Sequence, residues 1–186
     1  MSGTAAHPAL ESALFRRVLG HVPTAVSVIA TMTGDGPAGM TVGSFTSISL
    51  DPPLIGFFAG STSQTLPAIL QARRFSVSVL ADTQSDLSRA FSSRGGSRFD
   101  AAAWHLSEGG LPQLAGAMAW IGCSVRSAAE TGDHTAVVGT VASLEVARQS
   151  SRPLIFFRGA YCHLDKRSVP RRGDWQLDPT PNGDRR

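Results

Sequence analysis

The stretch "GDGPAGMTVGSFTSISL", residues 34–50, decides between two folds. Its opening letters match the G-x-G-x-x-G pattern of dinucleotide-binding α/β proteins, in which a helix begins at the last glycine. The residues after Gly39 are instead rich in Thr, Ser, Val and Ile, which is typical of a β-strand. Pro37 would also remove a backbone N–H from a phosphate-binding loop. We therefore predict a hairpin connection at residues 34–39 and an all-β fold.

Strand-like segments continue on both sides of this stretch. In "FSVSVL", residues 75–80, the Phe and Val side chains alternate with serines, as a strand with one buried face requires. Turn-rich segments separate the predicted strands: 25–33, 38–50, 54–59, 75–80, 118–128, 136–146, 154–157 and 160–164. Many short strands with few helices favour an all-β-dominated barrel, because closure removes exposed sheet edges.

Helical spacing of apolar residues predicts three short helices: 8–19, 63–70 and 83–91. The segment 92–114 is predicted as a long loop at an interface, because Phe99, Trp104 and Leu106 have no evident place in a small barrel. We predict one domain, 9–164, with a loose leader, 1–8, and a disordered tail, 165–186.

Composition excludes several classes of protein. Six of the 17 basic residues lie after Leu164, so the rest of the chain carries too little positive charge for a nucleic-acid groove. The sequence contains no run of about 18 apolar residues and no secretory signal pattern, so we expect a cytoplasmic protein without a membrane span. Cys123 and Cys162 are far apart and without nearby histidines, which predicts buried free thiols and no metal site.

Two hydroxyl-rich segments are candidates for ligand binding. The first, "GMTVGSFTSISLDPP" at 39–53, can present hydroxyls and free N–H groups to a planar polar ligand, or it can be an edge strand that faces water. The second, "GSTSQT" at 60–65, ends a strand and precedes a predicted helix, where it can bind a phosphate or cap the helix. The residue pattern leaves both pairs of alternatives open.

His134 follows Gly132-Asp133 between two predicted strands. It is the one histidine of five that has an acidic neighbour at a predicted hairpin tip. A solvated loop histidine is the ordinary interpretation of such a residue, and the aspartate is typical of a turn. His134 is therefore a candidate that needs further support.

Five segments in order resemble the short-chain flavin reductases, the reductase partners of two-component flavin-dependent monooxygenases: "GMTVGSFTSISLDPPLIGF", "RFSVSVLADTQSDLSRAF", "LPQLAGAMAWIGCSV", "TGDHTAVVGTV" and "PLIFFRGAYCHL". The resemblance covers about residues 15–164. It implies an FMN-binding split β-barrel of Greek-key type, usually a homodimer. Such an enzyme transfers a hydride from NADH or NADPH to FMN or FAD and releases reduced flavin to a separate monooxygenase. The alternative is a flavin- or haem-binding split barrel, or an oxidase, without reductase turnover.

The resemblance also implies which residues form the site. His134 would be the catalytic residue facing the nicotinamide, and Gly43 stands where many relatives have Asn, which predicts weak flavin retention. The flavin ring and ribityl chain would lie along Met40, Thr41, Val42, Ser44, Phe45, Thr46 and Ser47. The phosphate would lie near Ser61, Thr62, Ser63 and Thr65. Further flavin contacts would come from Ala81, Asp82, Gln84 and Tyr161.

Overall fold

The computed structural model describes residues 11–93, 95, 98–100, 102–147, 152–165 and 167. The strands are β1 Thr24–Ala25, β2 Ser27–Thr33, β3 Gly36–Val42, β4 Thr46–Leu50, β5 Pro53–Gly60, β6 Arg74–Val79, β7 Trp104–Leu106, β8 Pro112–Leu114, β9 Ala119–Thr131, β10 His134–Val146, β11 Ile155–Phe157 and β12 Ala160–Cys162. The helices are α1 Ser12–Leu19, α2 Leu66–Ala72 and α3 Ser85–Ser92, with a 3-10 turn at Asp82–Gln84. The predicted leader 1–8 and nearly all of the predicted tail 165–186 lie outside the described residues. In the described part of the chain, no helix is both long enough and apolar enough to span a bilayer.

The main sheet has seven antiparallel strands in the order β3-β2-β6-β9-β10-β5-β4. Its two outermost strands, β3 and β4, are consecutive in the chain and are joined by residues 43–45 alone. We call residues 43–45 the corner. Ser44 holds the corner against β5, because its hydroxyl accepts from the N–H of Phe58 at 2.9 Å and donates to the carbonyl of Phe58 at 3.1 Å. One end of each outer strand is therefore held beside the other, and the predicted all-β-dominated fold is confirmed.

The predicted hairpin at residues 34–39 is also confirmed. Thr33 pairs with Gly36, which leaves Gly34 and Asp35 as the turn. Gly36 has a φ of +115°, which only glycine adopts readily. Pro37 and Gly39 lie within β3, and no helix follows them.

Two predicted elements are wrong in their extent. The single strand predicted at 38–50 is divided at the corner, because Ser44 turns its side chain to the β5 backbone instead of continuing the ladder. The long loop predicted at 92–114 contains a hairpin, β7 with β8. This hairpin packs on β6, since Ser76 donates to the carbonyl of Pro112 and Leu114 N–H donates to Ser78 Oγ at 3.1 Å.

The barrel encloses one apolar cluster, which we call the barrel core. Phe57 and Phe75 meet edge to face, with ring centroids 5.4 Å apart. Gly139 allows this packing, because a Cβ there would lie 2.6 Å from Phe75 Cζ. The other fully buried large members are Ile29, Ile69, Val77 and Val137.

A second apolar cluster, which we call the outer core, lies on the other face of β2. β2 contributes Val28 and Ala30 to it, on the face opposite Ile29. The other buried members are Val26, Leu80, Phe91, Phe99, Leu114 and Leu154.

The outer core also contains the aromatic residues of the segment 92–114. Phe99 packs between Phe91 and Trp104, with its ring centroid 4.9 Å from that of Phe91 and 5.6 Å from that of Trp104. The expectation that Phe99 and Trp104 have no place within one barrel is therefore wrong, because α3 and the β7–β8 hairpin bury them within the chain. Leu106 does remain 52 % exposed.

Candidate functional site

One end of the barrel brings together the corner, the loop at residues 61–65 and the turn between β9 and β10. His134, the first residue of β10, pairs with Gly60, the last residue of β5. The N–H of Ser61 then donates to the carbonyl of Asp133 at 2.9 Å. Ser44 contacts Phe58, two residues before the end of the same strand. Three segments that are far apart in sequence therefore share one edge of the barrel.

His134 is held by its neighbour in the chain. Its Nδ1 lies 2.7 Å from Asp133 Oδ1 while its side chain is 47 % exposed. The hydrogen bond from His134 lowers the pKa of Asp133, the charge of His134 lowers it further, and the positive charge of Arg16 makes a smaller contribution in the same direction. A carboxylate that binds one ring nitrogen fixes the orientation of an imidazole. His134 is therefore an oriented histidine whose Nε2 is available to a ligand.

Most hydroxyls along the predicted flavin strand already have protein partners. Thr41 donates to the carbonyl of Ser88 at 2.8 Å, Ser44 binds Phe58, and Thr46 donates to the carbonyl of Ser47 at 3.3 Å. The hydroxyl of Ser47 forms no hydrogen bond within the described residues. This segment therefore offers a ligand fewer free hydroxyls than its composition suggests.

The apolar residues of the same strand line the barrel. Met40 and Val42 are buried in the barrel core, so only their backbone groups can reach a ligand outside it. Phe45, at the corner, is partly buried against the same core. Residues 43–45 lie outside both strands, so their peptide groups belong to neither ladder. A planar ligand would find backbone donors and an aromatic wall there.

The loop at residues 61–65 divides into a capping part and an exposed part. Ser63 Oγ accepts from the N–H groups of Thr65 and Leu66, at 3.3 and 3.2 Å, and so caps α2. Thr65 donates to the carbonyl of Gly39 at 3.0 Å. Ser61 and Thr62 are exposed, and the Ser61 hydroxyl has no partner among the described residues. Ser63 therefore serves the capping alternative, and phosphate binding at this segment stays a prediction.

Arg98 lies beside this loop and was missed at the sequence level. Its guanidinium donates to Gly39 O at 2.6 Å, to Thr65 Oγ1 at 3.3 Å and to Ser93 O at 2.6 Å. These acceptors are neutral, and no carboxylate of the described chain forms an ion pair with Arg98. Arg98, Thr65 and Gln64 line one cavity of about 230 Å³. A lone arginine in a Gly/Ser-rich segment carries no periodic signal, which is why the sequence did not single it out.

The polar side chains at residues 81–84 already bind other parts of the protein. The Gln84 side chain accepts from Ala81 N–H at 3.0 Å and donates to the carbonyl of Ala115 at 2.9 Å. Asp82 forms an ion pair with Arg152 at 2.7 Å. These side chains fasten the end of β6 to neighbouring segments, so flavin contacts from this segment remain a prediction.

Tyr161, in β12, packs against the outer core and against α3. Its hydroxyl lies 2.8 Å from Ser88 Oγ, and its ring lies between Arg89, at 5.0 Å, and Phe156, at 5.5 Å. Ser88 links it to Thr41, and no contact with His134 occurs among the described residues. The structure therefore places Tyr161 behind β3 and does not bring it into contact with the turn that carries His134.

The packing of β1 accounts for Gly43. A Cβ at this position would lie 2.9 Å from Thr24 Oγ1, so a larger residue requires the Thr24 side chain to shift. Glycine therefore fits this position without any rearrangement, where many members of the resembled family have an Asn side chain.

The sequence matches the family described as flavin reductase like domain over residues 19–165. A flavin reductase of Pseudomonas putida is 42 % identical, with 82 % of this chain and 90 % of that protein covered. The reductase subunit of a flavin-dependent monooxygenase from Mycobacterium tuberculosis is 41 % identical, with 81 % of each chain covered. An NADH-dependent FMN reductase of Agrobacterium fabrum is 40 % identical, with 79 % of this chain and 83 % of that protein covered.

Solved structures of similar proteins have the same fold. Component B of nitrilotriacetate monooxygenase from Mycobacterium thermoresistibile superposes with a TM-score of 0.82 at 35 % identity, covering 91 % of this chain and 94 % of that one. An NADH:FAD oxidoreductase of Streptomyces globisporus, in complex with NAD and FAD fragments, has a TM-score of 0.79 at 32 % identity, covering 84 % and 94 %.

Proposed function

Because the chain belongs to the family of flavin reductase like domains, we propose that it oxidises NADH or NADPH and reduces FMN or FAD. The reduced flavin then leaves for a separate flavin-dependent monooxygenase, in keeping with the relatives that are reductase subunits of such enzymes. One observation carries the proposal: an oriented His134 shares a barrel end with the corner and with the exposed Ser61.

The residues present fit a flavin. The corner supplies peptide groups outside the ladders, and Phe45 supplies an apolar surface. Ser47 and Ser61 have hydroxyls without partners in the described chain, and Arg98 is a half-buried cation that forms no ion pair with any described carboxylate. A planar ring system with a polar edge and a phosphate requires this set of groups.

A bound flavin and nicotinamide would themselves supply the hydride-transfer chemistry. The chain positions them. Backbone N–H groups at the corner would stabilise negative charge that develops on the pyrimidine edge during reduction. His134 would bind the nicotinamide through Nε2 while Asp133 holds Nδ1. No side chain has to act as a general base.

Reductase turnover is tested by mixing purified protein with NADH and either FMN or FAD and following the absorbance at 340 nm. Flavin-dependent loss of NADH supports the proposal. If NADH is consumed without flavin, or is not consumed at all, the protein is instead a binding protein or an oxidase without reductase turnover. Parallel assays with NADPH compare the two co-substrates.

The role of His134 is tested by His134→Ala in anaerobic stopped-flow reduction with flavin saturating and NADH varied. We expect the reduction rate to fall about tenfold to a hundredfold, because misplacement by about 1 Å spoils the reacting geometry. Flavin affinity should hardly change. The exposed His163 provides the control, since His163→Ala removes an imidazole outside this barrel end. Equal reduction rates for His134→Ala and His163→Ala would show that His134 does not contribute to the site.

We propose that the flavin is a diffusible substrate, not a permanently bound group. Gly43 provides no side chain to hold it, and the Thr24 hydroxyl lies 2.9 Å from where a Cβ would be. The purified protein should therefore lose its flavin on dialysis. Retention of about one flavin per chain after extensive dialysis would contradict this.

We also propose that the enzyme is a homodimer that works in the cytoplasm. Leu50, Leu144 and Val146 are 92 %, 73 % and 70 % exposed, which is unusual for large aliphatic side chains in a single chain. Cys123 and Cys162 are free thiols, as suits a reducing compartment. Light scattering should give twice the chain mass of 19.5 kDa, and Leu144→Asp should shift it toward the monomer. A wild-type protein that scatters as a monomer at micromolar concentration would refute the dimer.

A further inference from the structure

Tyr161 is connected to β3 by two hydrogen bonds that pass through Ser88. The Tyr161 hydroxyl lies 2.8 Å from Ser88 Oγ, and the carbonyl of Ser88 accepts from the hydroxyl of Thr41 at 2.8 Å. Ser88 is fully buried in α3, so losing either partner would leave a polar group without water to replace it. One residue of α3 therefore joins β12 to β3.

Helix α3 also packs directly on the outer face of β3. Met40 and Val42 belong to the barrel core, so Gly39 and Thr41 lie on the opposite face of the strand. A Cβ at Gly39 would lie 2.9 Å from Phe91 Cε1, and only the absence of a side chain lets α3 come this close. The position of α3 therefore helps to fix where β3 lies.

The small sheet that contains β12 reaches the corner as well. This sheet has three strands in the order β1-β11-β12. Thr24 is in β1, and its Oγ1 lies 2.9 Å from where a Cβ of Gly43 would be. Gly43 follows Thr41 by two residues. One small sheet therefore lies against this part of the chain at two points, directly at Gly43 and through Ser88 at Thr41.

The ring of Tyr161 is held on its own account. The Arg89 guanidinium lies over it, 5.0 Å from the ring centroid, and the Phe156 ring meets it edge to face with centroids 5.5 Å apart. Both kinds of contact favour one orientation of an aromatic ring. The orientation of the ring sets the position of the phenolic oxygen, so Tyr161 presents its hydroxyl to Ser88 at a defined point.

We propose that Tyr161 is a positioning residue for flavin binding, which acts through Ser88 to hold β3 and the corner in the geometry that receives the flavin. The inference rests on the proposed function, which places a flavin against the corner. It differs from the flavin contact that the sequence resemblance implies, because the Tyr161 hydroxyl binds the protein and not the ligand. Backbone donors that are already in place need no ordering when the ligand binds, which raises affinity.

The first test is Tyr161→Phe, which removes the hydroxyl and keeps the ring. We expect the KM for flavin, and the Kd for flavin in a fluorescence titration, to rise about threefold to tenfold, as the loss of one neutral hydrogen bond allows. The kcat and the KM for NADH should hardly change, because the affected contacts are those that bind the flavin. A merely structural tyrosine would lower the thermal stability alone. Unchanged flavin affinity in a folded Tyr161→Phe would overturn the inference.

A double-mutant cycle with Ser88→Ala tests whether Tyr161 acts through Ser88. If it does, the two substitutions break the same connection, so the double variant should bind flavin no more weakly than the weaker of the two single variants. If the two effects on the flavin Kd multiply instead, Tyr161 acts on the flavin independently of Ser88, and the inference is wrong.

Ser92→Ala is the matched control. The Ser92 hydroxyl donates to the same carbonyl of Ser88 at 2.8 Å, but this bond lies within α3 and ties the helix to no other element. Flavin affinity should therefore keep its wild-type value in Ser92→Ala. An equal loss of affinity in Ser92→Ala and Tyr161→Phe would indicate a general effect of weakening α3 and would also overturn the inference.

The fluorescence titration separates this inference from the proposed function, because it uses FMN or FAD without NADH and needs no turnover. If the wild type binds flavin but does not oxidise NADH, the proposed function is wrong, and the titration of Tyr161→Phe still decides the inference. If the wild type reduces flavin and Tyr161→Phe binds it equally well, the inference fails alone. A wild type that binds neither FMN nor FAD would overturn both.

Discussion

The barrel core and the outer core are equally apolar but are built from different kinds of chain segment. The barrel core consists mainly of strand residues that alternate with polar or outward-facing ones, together with residues of α2. The outer core draws on the reverse face of β2, on α3, on the β7–β8 hairpin and on residues between elements. The comparison teaches that two-residue periodicity identifies the core residues that lie on strands and misses those from helices, short hairpins and connecting segments.

Phe57→Ala should have the largest effect, a loss of about 3–5 kcal/mol in the free energy of unfolding, because it removes a fully buried ring from the barrel core. Urea unfolding measures this loss. Phe58→Ala is the matched control, since the adjacent ring is 45 % exposed on the other face of β5 and should cost about 1 kcal/mol or less. Similar losses for the two would mean that alternation does not define the barrel core.

Phe99→Ala should lower the free energy of unfolding somewhat less, by roughly 2–4 kcal/mol, because neighbouring side chains can partly fill the space that the ring leaves. It should also weaken flavin binding severalfold, since Arg98 adjoins it and contacts Thr65. Leu106→Ala, at an exposed position of the β7–β8 hairpin, is the control for both measurements. If flavin affinity is unchanged in a destabilised Phe99→Ala, the outer core does not support the site.

The regular part of the fold could be predicted from the sequence. The alternation in residues 75–80 and the Thr, Ser, Val and Ile after Gly39 identified strands that form the barrel. The corner could not be predicted, because Ser44 breaks the strand through a bond to Phe58, which is distant until the barrel closes. The β7–β8 hairpin was missed for a similar reason: its strands are short, and serines of β6 help to hold it in place.

The candidate site also contains residues that could be identified from the sequence and residues that could not. His134 was identifiable from its turn and from the resemblance, since both depend on local sequence. Arg98 was not, because its partners Gly39 and Thr65 come from separate parts of the chain. Tyr161 was assigned to the flavin pocket by resemblance, and its contacts with Ser88 and Arg89 depend on how β12 meets α3.

Cys123 provides a test of how strongly the barrel core excludes charge. Burial raises the pKa of its thiol to about 12, from an ordinary value of 9.0. The unfolded chain therefore loses this proton at lower pH than the folded chain, so the contribution to stability is complete below pH 9 and is lost as pH rises toward 12. When the pH rises from 7.5 to 10.5, the free energy of unfolding should fall by about 2 kcal/mol more in the wild type than in Cys123→Ala. Cys162→Ala, at a half-buried position, should behave like the wild type, and an equal loss in all three proteins would contradict the prediction.

Ser27→Ala should have the smallest effect and the opposite sign. Ser27 is fully buried, and its hydroxyl has no partner in the described part of the chain. Removing an unpaired buried hydroxyl should stabilise the fold by about 0.5–1 kcal/mol in urea unfolding. Thr31→Val on the same strand is the control, because Thr31 donates to the carbonyl of Arg74 at 2.7 Å and should lose about 1 kcal/mol. Destabilisation by both changes would show that Ser27 is paired.

The corner also bears on how the protein avoids aggregation. An open seven-stranded sheet would present two outer strands, β3 and β4, whose free backbone groups could pair with other chains. Because these two strands are linked by residues 43–45, each holds the other within reach, and their local concentration far exceeds that of any competing chain. A proteolytic cut at the corner, or a circular permutation that starts there, would leave every strand intact but separate the two edges, and we expect it to favour intermolecular pairing.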